Sequence, residues 1–294
     1  AIILLLCFFF STAMFALNDH IVVGYWHNFN NGAANGLKLS QVSDAWDVIN
    51  LSFAEPTSST SGQLVYNPTA DGIYASAAEF KADVKATQAK GKKVVLSIGG
   101  EKGQVRLETT GARDAFINSA IQIIEEYGLD GLDIDFEGQS LRFEEGDLDL
   151  ANPTTPVIVN LIYALNAICD HFGNDFLLTF APETHFVQQA YGYYGTTCDG
   201  CDLRCGAYLP VLYAMRDRMS WLQVQYYNSG VINAPEGPQT CGTEDFVVYL
   251  AKMLADGFPI KDGADYLGTS HKLKGPKNFP ALRQDQIVLG VPSV

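Results

Sequence analysis

Basic residues are scarce in this sequence: 19 Lys and Arg stand against 33 Asp and Glu, a formal net charge of −14 over 294 residues. A surface this acidic repels phosphate backbones and anionic lipids, so nucleic acid and membrane surfaces are poor partners. A neutral polymer such as a polysaccharide is not repelled. The alternative is that the charge only keeps a secreted protein soluble.

Apolar runs long enough to cross a membrane are also missing. The apolar run over residues 1–10 is shorter than the roughly 20 residues that a span needs. Because small residues follow it, residues 1–16 are predicted to be a partial secretory signal peptide, cleaved after Ala13 or Ala16. We therefore expect a secreted, extracellular protein. A buried amino-terminal strand is the alternative for this run.

Cysteines are few. Removing Cys7 with the signal would leave five of the six: Cys169, Cys198, Cys201, Cys205 and Cys241. In an oxidising compartment, the spacing from Cys198 through Cys201 to Cys205 favours a disulfide that staples a loop. A zinc site is disfavoured because no nearby His spacing supplies a fourth ligand. The pairing stays open, and an odd count leaves one thiol without a partner in this sequence.

Short apolar runs alternate with helical segments along the rest of the chain. The predicted strands are Ile21–Tyr25, Val48–Ala54, Lys93–Ile98, Leu132–Phe136, Leu177–Ala181, Leu222–Tyr227 and Gln286–Val291. The predicted helices are Ser76–Lys90, Ala112–Tyr127, Pro156–Phe172, Ala207–Arg218 and Glu244–Ala255. Strands that are apolar throughout, separated by helices, are typical of a parallel α/β fold.

Two parallel α/β folds fit this order, a doubly wound sheet and a (β/α)8 barrel. A doubly wound sheet is disfavoured because no Gly-x-Gly-x-x-Gly turn follows the first strand. A (β/α)8 TIM barrel is favoured because polar residues cluster where successive strands end, the face on which barrels build active sites. We therefore expect residues 17–294 to form one barrel domain.

The pattern supplies seven such strands, and the last of them ends close to Val294. A barrel without its eighth strand and last helix has two unpaired edges, which is costly. We therefore expect the sequence to be truncated at both ends. The polypeptide as it stands is expected to fold poorly or to be inactive.

The most informative segment is the octet from Asp130 to Glu137. Asp133, Asp135 and Glu137 recur at a spacing of two, which places them on one face of a strand. Neighbouring carboxylates raise one another's pKa, so the outermost, Glu137, is predicted to stay protonated as a general acid. A metal-binding or solvated acidic edge is the alternative.

The octet resembles the Asp-x-x-Asp-x-Asp-x-Glu signature of glycoside hydrolase family 18, which includes many chitinases. A second signature of that family, Ser-x-Gly-Gly, is met by Ser97, Gly99 and Gly100, which the resemblance implies are substrate-binding residues. The resemblance extends from about Val22 to Val294. It implies a retaining hydrolase in which the substrate's own acetamido oxygen, and no second carboxylate, acts as nucleophile.

Roles for the octet follow from this resemblance. Glu137 would protonate the glycosidic oxygen, and Asp135 would orient the acetamido group and stabilise the oxazolinium intermediate. Asp133 would hold Asp135 and tune its protonation, while Asp130 would brace the strand. A Trp that the family carries on its eighth strand has no counterpart here.

Two further segments are similar to the hevamine-like and chitinase-D-like branch. In Gln225-Tyr226-Tyr227-Asn228, Tyr227 would bond the acetamido group, while Gln225 and Asn228 would face the site. Ala181-Pro182-Glu183-Thr184 adds Glu183 to the substrate-binding set. The family often has Met at the position of Phe180, which bears on the shape of the sugar subsite and not on the chemistry.

Aromatic faces near the strand ends are predicted to stack on sugar rings. Tyr25, Trp26 and Phe53 hold these positions, although Phe53 could equally be barrel core. Trp221 begins a strand at the opposite end and is interpreted as structural. The sequon at Asn50 lies within a predicted strand, so it is expected to be buried and unmodified.

Three functions remain open. The leading hypothesis is a monomeric chitinase acting on β-1,4-linked N-acetylglucosamine polymers, with no cofactor and no metal. An endo-β-N-acetylglucosaminidase on N-glycans would use the same residues. A non-catalytic chitin-binding lectin is disfavoured, since such proteins characteristically lose the equivalent of Glu137 or Asp135.

Overall fold

Parallel strands that alternate with helices organise most of the chain. The computed structural model describes residues 20–27, 29, 36–263 and 271–292, so the predicted signal peptide lies outside the described residues. The strands are β1 Val23–His27, β2 Val48–Pro56, β3 Leu64–Val65, β4 Lys93–Gly99, β5 Gly131–Asp135, β6 Leu177–Phe180, β7 Trp221–Gln225, β8 Ile232–Ala234, β9 Gly237–Gln239, β10 Phe258–Pro259, β11 Asn278–Phe279 and β12 Ile287–Gly290. The helices are α1 Ala77–Gln88, α2 Thr110–Tyr127, α3 Pro156–Phe172, α4 Leu209–Met215 and α5 Glu244–Asp256.

The main sheet follows the path β1-β2-β4-β5-β6-β7-β12. Every pairing along this path is parallel. The sheet curls strongly. This is evident from the side chain of Gln223 on β7, whose Nε2 donates to the hydroxyl of Tyr25 on β1 at 2.7 Å. Seven parallel strands with helices between them are part of a (β/α)8 barrel, which confirms the predicted fold class.

Helix boundaries follow local capping signals. The side chains of Ser76, Thr109 and Thr243 each accept a backbone N–H at the start of α1, α2 and α5. Gly128 ends α2 in the left-handed conformation at φ 66°, directly after the predicted end of this helix at Tyr127. The fourth helix is shorter than predicted: it begins at Leu209, so Tyr208 lies just outside it.

Successive side chains along the strands alternate between an apolar core beneath the helices and a polar barrel interior. Leu132 and Ile134 on β5 are fully buried and pack in the apolar core beneath the helices, with Phe116 of α2. The opposite face of the same strands carries buried polar side chains inside the barrel, and these are Asn50, Ser97, Asp133, Thr179 and Gln223. The barrel interior is therefore built to hold polar groups. Asn50 is completely buried, as predicted for the sequon.

Cysteine pairing matches the prediction in part. Cys198 and Cys201 form a disulfide in the loop between β6 and α4, whereas Cys205 is buried as a free thiol. Cys169 and Cys241 are free as well, so none of these three thiols pairs with another cysteine of the described part of the chain. Within the described ranges, no group of three or more His, Cys, Asp or Glu side chains could hold a metal ion. In the same ranges, no helix is long and apolar enough to cross a bilayer.

Candidate active site

Three carboxylates line up along β5 and point into the barrel mouth. Asp133 is completely buried, Asp135 is 5% exposed, and Glu137 is half-buried two residues beyond the last strand position. Their spacing of two residues puts them on the face opposite Leu132 and Ile134. The row therefore rises from the closed barrel interior to the open end, as the sequence predicted.

Four side chains from four other strands surround Asp133. Oδ2 accepts hydrogen bonds from Tyr25 at 2.9 Å and from Ser97 at 2.7 Å. Oδ1 accepts hydrogen bonds from Thr179 at 2.6 Å and from Gln223 at 3.1 Å. Burial raises the pKa of Asp133 above its usual value, and these four donors oppose that rise by stabilising the ionised form.

The amide of Gln225 joins the two outer carboxylates. Its Nε2 donates to Oδ1 of Asp135 at 3.0 Å and to Oε1 of Glu137 at 3.1 Å, and it also lies 3.0 Å from the carbonyl of Ala181. One side chain at the end of β7 thus bridges Asp135 and Glu137. Gln225 therefore lies beside both outer carboxylates, and its contact with substrate stays a prediction.

Burial and like charge act together on these two carboxyls. Burial is the main cause that lifts the pKa of Asp135 well above its usual value, and the neighbouring Glu137 and Asp133 add to it. Burial also raises the pKa of Glu137, Gln225 lowers it in part, and Glu101 raises it again. Two neighbouring carboxyls whose pKa values are both raised hold a proton to higher pH than isolated carboxyls do, which favours a general acid.

Tyr227 stands beside this pair. Its half-buried ring lines the cleft, and burial, reinforced by Asp135 and Glu137, raises the pKa of its hydroxyl to about 12. The hydroxyl therefore remains protonated and able to donate. Asn228, next in the chain, adopts a left-handed backbone with φ 49° and lies outside the cleft lining.

The two glycines after Ser97 allow β4 and β5 to meet closely at the barrel mouth. A Cβ on Gly99, which has φ 120°, would lie 2.0 Å from the carbonyl oxygen of Asp135. A Cβ on Gly100 would lie 2.8 Å from the ring of Phe53, and the Gly100 amide donates to the Asp135 carbonyl at 2.8 Å. These positions thus serve the backbone that carries Asp135.

Two predicted sugar contacts are wrong. Ser97 is completely buried and bonds Asp133, so it lies below the cleft and not on it. Trp26 is 4% exposed, stacks on Phe80 of α1 and donates its indole N–H to the carbonyl of Leu37. Adjacent strand residues point to opposite faces, so an inward Tyr25 requires an outward Trp26.

The cleft above the carboxylates has a volume of about 770 Å³. Its lining includes Tyr25, Phe53, Gly100, Glu101, Asp135, Glu137, Ala181, Gln225 and Tyr227. Phe53 is half-buried and exposes part of its ring to this space. A concave site with aromatic walls and converging polar groups is the usual form of a small-ligand or oligosaccharide site.

Glu183 and Asp130 occupy the two ends of the barrel. A backbone bridge pairs Glu183 with Gln225, and burial raises the pKa of Glu183, with Glu137 adding to the rise. Asp130 begins β5 at the far end, where it accepts the Val94 amide at 2.8 Å and pairs with Lys93 at 3.2 Å. Asp130 thus holds β4 to β5 away from the cleft.

Three site residues were missed in the sequence. Thr179 and Gln223 face inward because each lies two positions before a residue at the barrel mouth, Ala181 and Gln225. That alternation was the available signal. Glu101 follows the Gly-Gly pair directly and reaches the cleft, where its charge acts on Glu137.

Comparison with known proteins agrees with this geometry. Residues 21–229 match the model of the family described as glycosyl hydrolases family 18. The chain is 50% identical over 283 residues to Exochitinase 1 of Streptomyces olivaceoviridis, covering 94% of this chain and 45% of that protein. It is 50% identical over 259 residues to a probable class II chitinase of Arthroderma benhamiae, covering 87% of this chain and 74% of that one.

Among solved structures, a family 18 chitinase from Chromobacterium violaceum superposes with a TM-score of 0.78 at 39% identity. The match covers 94% of this chain and 66% of that chain. The chain therefore spans less than half the length of the Streptomyces relative and about two thirds of the solved structure.

Proposed function

The chain belongs to the glycosyl hydrolases family 18, and from this membership we propose that it is a chitinase that cleaves β-1,4-linked N-acetylglucosamine polymers. The observation that supports the proposal most strongly is the pair Asp135 and Glu137, bridged by Gln225 and open to the cleft. Raised pKa values in that pair suit a group that must give up a proton near neutral pH. The two relatives named above are both called chitinases.

In the first step, Glu137 donates its proton to the glycosidic oxygen while the bond from that oxygen to the anomeric carbon breaks. The carbonyl oxygen of the substrate's 2-acetamido group attacks the anomeric carbon from the opposite face and forms an oxazolinium ion. The electron pair of the broken bond stays with the leaving sugar, which departs as an alcohol. No second enzyme carboxylate is needed as nucleophile.

Asp135 and Tyr227 hold the acetamido group during this attack. Asp135 accepts the acetamido N–H and offsets the positive charge that grows on the ring, and the Tyr227 hydroxyl donates to the acetamido oxygen. Asp133, held by four donors, supplies the negative charge that keeps a proton in the Asp135–Glu137 pair. Such preorganised charge is usually the largest contribution to catalysis.

In the second step, the ionised Glu137 removes a proton from water, and that water attacks the anomeric carbon. The oxazolinium ring opens and the acetamido group is restored. Two successive displacements return the original anomeric configuration. The rings of Tyr25 and Phe53 supply apolar faces on which sugar C–H groups can pack.

Gly100 and Glu183 are proposed to shape the sugar subsites, and Asn228 to set the backbone turn that presents Tyr227. We propose that the protein is secreted and acts as a monomer without cofactor or metal. Its formal charge of −14 is compatible with a neutral polysaccharide as partner.

The test compares two substrates with the full-length protein. Chitin oligomers and a high-mannose glycoprotein are incubated separately, and products are followed by NMR at early times. We expect cleavage of the oligomers to release the β-anomer first. Release of the α-anomer would refute the retaining mechanism, and cleavage of only the glycoprotein would favour an endo-β-N-acetylglucosaminidase. Binding without any cleavage would favour a lectin.

A further inference from the structure

A buried tyrosine from outside the cleft holds the peptide that precedes Glu137. Tyr208 is completely buried, and its hydroxyl accepts a hydrogen bond from the Phe136 amide at 2.7 Å. The same hydroxyl donates to the Phe136 carbonyl at 3.1 Å. One side chain therefore holds both backbone polar groups of the residue directly before the proposed acid.

This peptide needs such a partner because the sheet ends before it. β5 stops at Asp135, and its ladder with β6 ends where Ile134 pairs with Phe180. Phe136 is only 1% exposed, so its amide and carbonyl are removed from water beyond the last strand pairing. A buried backbone group without a partner is costly, and Tyr208 supplies the partner for two of them.

Tyr208 is itself fixed in place. Its amide donates to the carbonyl of Phe186 at 3.2 Å, and its ring packs edge-on against Phe186 and Phe180, with centroids 5.8 Å and 6.4 Å away. Burial keeps the pKa of its hydroxyl well above the usual value, so the proton needed for donation is always present. The hydroxyl therefore has one position and one protonation state.

The chain on the other side of Glu137 is also held. The Ser140 amide donates to the Glu137 carbonyl at 3.1 Å, and the Gln139 amide donates to Oε1 of Gln104 at 3.1 Å. Glu137 thus sits on a short segment anchored at both ends. Its carboxyl reaches the cleft, whereas Tyr208 is absent from the cleft lining.

Resting on the function proposed above, we propose that Tyr208 is a positioning residue for the acid: its contact with the Phe136 peptide sets the distance from Glu137 to the glycosidic oxygen. Proton transfer is steeply sensitive to such distances, and a displacement near 1 Å costs roughly a hundredfold in rate. Tyr208 touches no substrate in this arrangement. Its effect reaches the reaction only through Glu137.

The test is Tyr208→Phe in the full-length protein, assayed on two substrates that differ in their need for an acid. In a chitin oligosaccharide the leaving group is a sugar alcohol, a poor leaving group that needs the proton from Glu137. In a 2,4-dinitrophenyl chitobioside the leaving group is 2,4-dinitrophenolate, which departs without being protonated. We expect kcat/KM to fall about 10- to 100-fold for the oligosaccharide and by less than about threefold for the dinitrophenyl substrate.

Tyr74→Phe is the matched control. Tyr74 is also buried and also joins two segments, since its hydroxyl accepts the Leu39 amide at 2.7 Å and donates to Asp83 at 2.6 Å. It lies under α1, outside the cleft lining. We expect its loss to lower thermal stability while leaving the ratio of the two kcat/KM values unchanged.

The ratio of the two rates is taken within one preparation, so the fraction of folded enzyme cancels. Equal losses on both substrates, or no loss on either, would overturn the proposal. If the phenylalanine variant does not fold, 4-aminophenylalanine at position 208 keeps a donor at the same place, and a wild-type ratio is expected for it. If the ratio of the two kcat/KM values in this variant departs from the wild-type ratio even though the donor is present, the inference is contradicted.

Hydrogen exchange gives a second readout that does not depend on activity. The Phe136 amide is expected to exchange faster in Tyr208→Phe and at the wild-type rate in Tyr74→Phe. Unchanged exchange overturns the contact on which the inference rests. If the wild-type protein cleaves neither substrate, the proposed function fails, and the exchange result still decides whether Tyr208 holds the Glu137 peptide.

Discussion

The hydroxyl of Tyr25 donates a hydrogen bond to Oδ2 of Asp133 across 2.9 Å, from β1 to β5. The two residues are 108 positions apart in the chain and meet only because the sheet curls. Asp133 is completely buried and cannot reach a sugar, so the contact affects the ionisation of the Asp133 carboxyl. A donor to an ionised carboxylate favours the ionised form and lowers its pKa.

We predict that Tyr25→Phe lowers kcat and moves the acidic limb of the pH profile to higher pH. Losing the donor raises the pKa of Asp133 further, and the mechanism needs Asp133 ionised, so activity is lost at a higher pH as the solution is acidified. The measurement is kcat against pH on a chitin oligomer. Tyr66→Phe is the control, since the buried Tyr66 hydroxyl has no hydrogen-bond partner among the residues that the structure describes. An acidic limb that stays in place would contradict the role given to Asp133.

Replacing Glu137 by Gln should strongly reduce hydrolysis and spare binding. The amide cannot donate a proton from a carboxyl, so kcat on oligomers should fall by roughly 10²- to 10⁴-fold. Oligomer affinity measured by calorimetry should change little, because Gln has nearly the same shape and keeps an oxygen for the Gln225 amide. Glu145→Gln, an exposed acid in the following loop, is the control. Turnover close to wild type would refute Glu137 as the acid.

The charge of Glu101 should be visible in the basic limb of the pH profile. Burial is the main cause of the raised pKa of Glu137, and Glu101 adds to it. Removing a like charge in Glu101→Gln lowers the pKa of Glu137, so the acid loses its proton at a lower pH and the basic limb moves down. The measurement is kcat/KM against pH, with Glu108→Gln as the exposed control. A basic limb that is unchanged or moves up would contradict the sign.

The octet could be predicted from the sequence because its information is local. A spacing of two places Asp133, Asp135 and Glu137 on one face whatever surrounds the strand. The error at Trp26 was also local. Tyr25 and Trp26 were both assigned to the cleft, although neighbours on a strand face opposite sides, and β1 extends to His27, two residues beyond its predicted end.

The partners of these carboxylates could not be predicted because they depend on long-range packing. Gln223 meets Asp133 from 90 positions away, and Tyr208 meets Phe136 from 72 positions away. Tyr208 was placed inside a predicted helix, where no feature of the local pattern marks one aromatic ring as a support for the active site. Only the curled sheet and the loop after β6 bring these groups together.

Asp130 should matter for stability and not for catalysis. In Asp130→Ala the amide of the completely buried Val94 loses its side-chain acceptor, which should lower the free energy of unfolding by about 1–3 kcal/mol. The lost pair with Lys93 adds little, because pairs near the surface are weak. The check is chemical denaturation together with kcat per folded molecule, which should not change. Asp217→Ala, whose side chain is 88% exposed, should shift stability by less than about 0.5 kcal/mol.

Substitutions of Trp26 distinguish a role in the apolar core from a role as a platform on which sugar rings stack. Its ring stacks on Phe80 of α1 at a centroid distance of 6.1 Å and packs near Tyr74, so it fills the space between β1 and the first helix. Truncating it in Trp26→Ala should therefore cost about 3–5 kcal/mol of unfolding free energy. Trp26→Phe keeps part of the ring and should cost less. KM for chitin oligomers should stay at the wild-type value in the folded fraction of both variants. If instead KM rises while the melting temperature is unchanged, Trp26 contacts sugar, and its inward-facing neighbour Tyr25 does not explain the aromatic wall of the cleft.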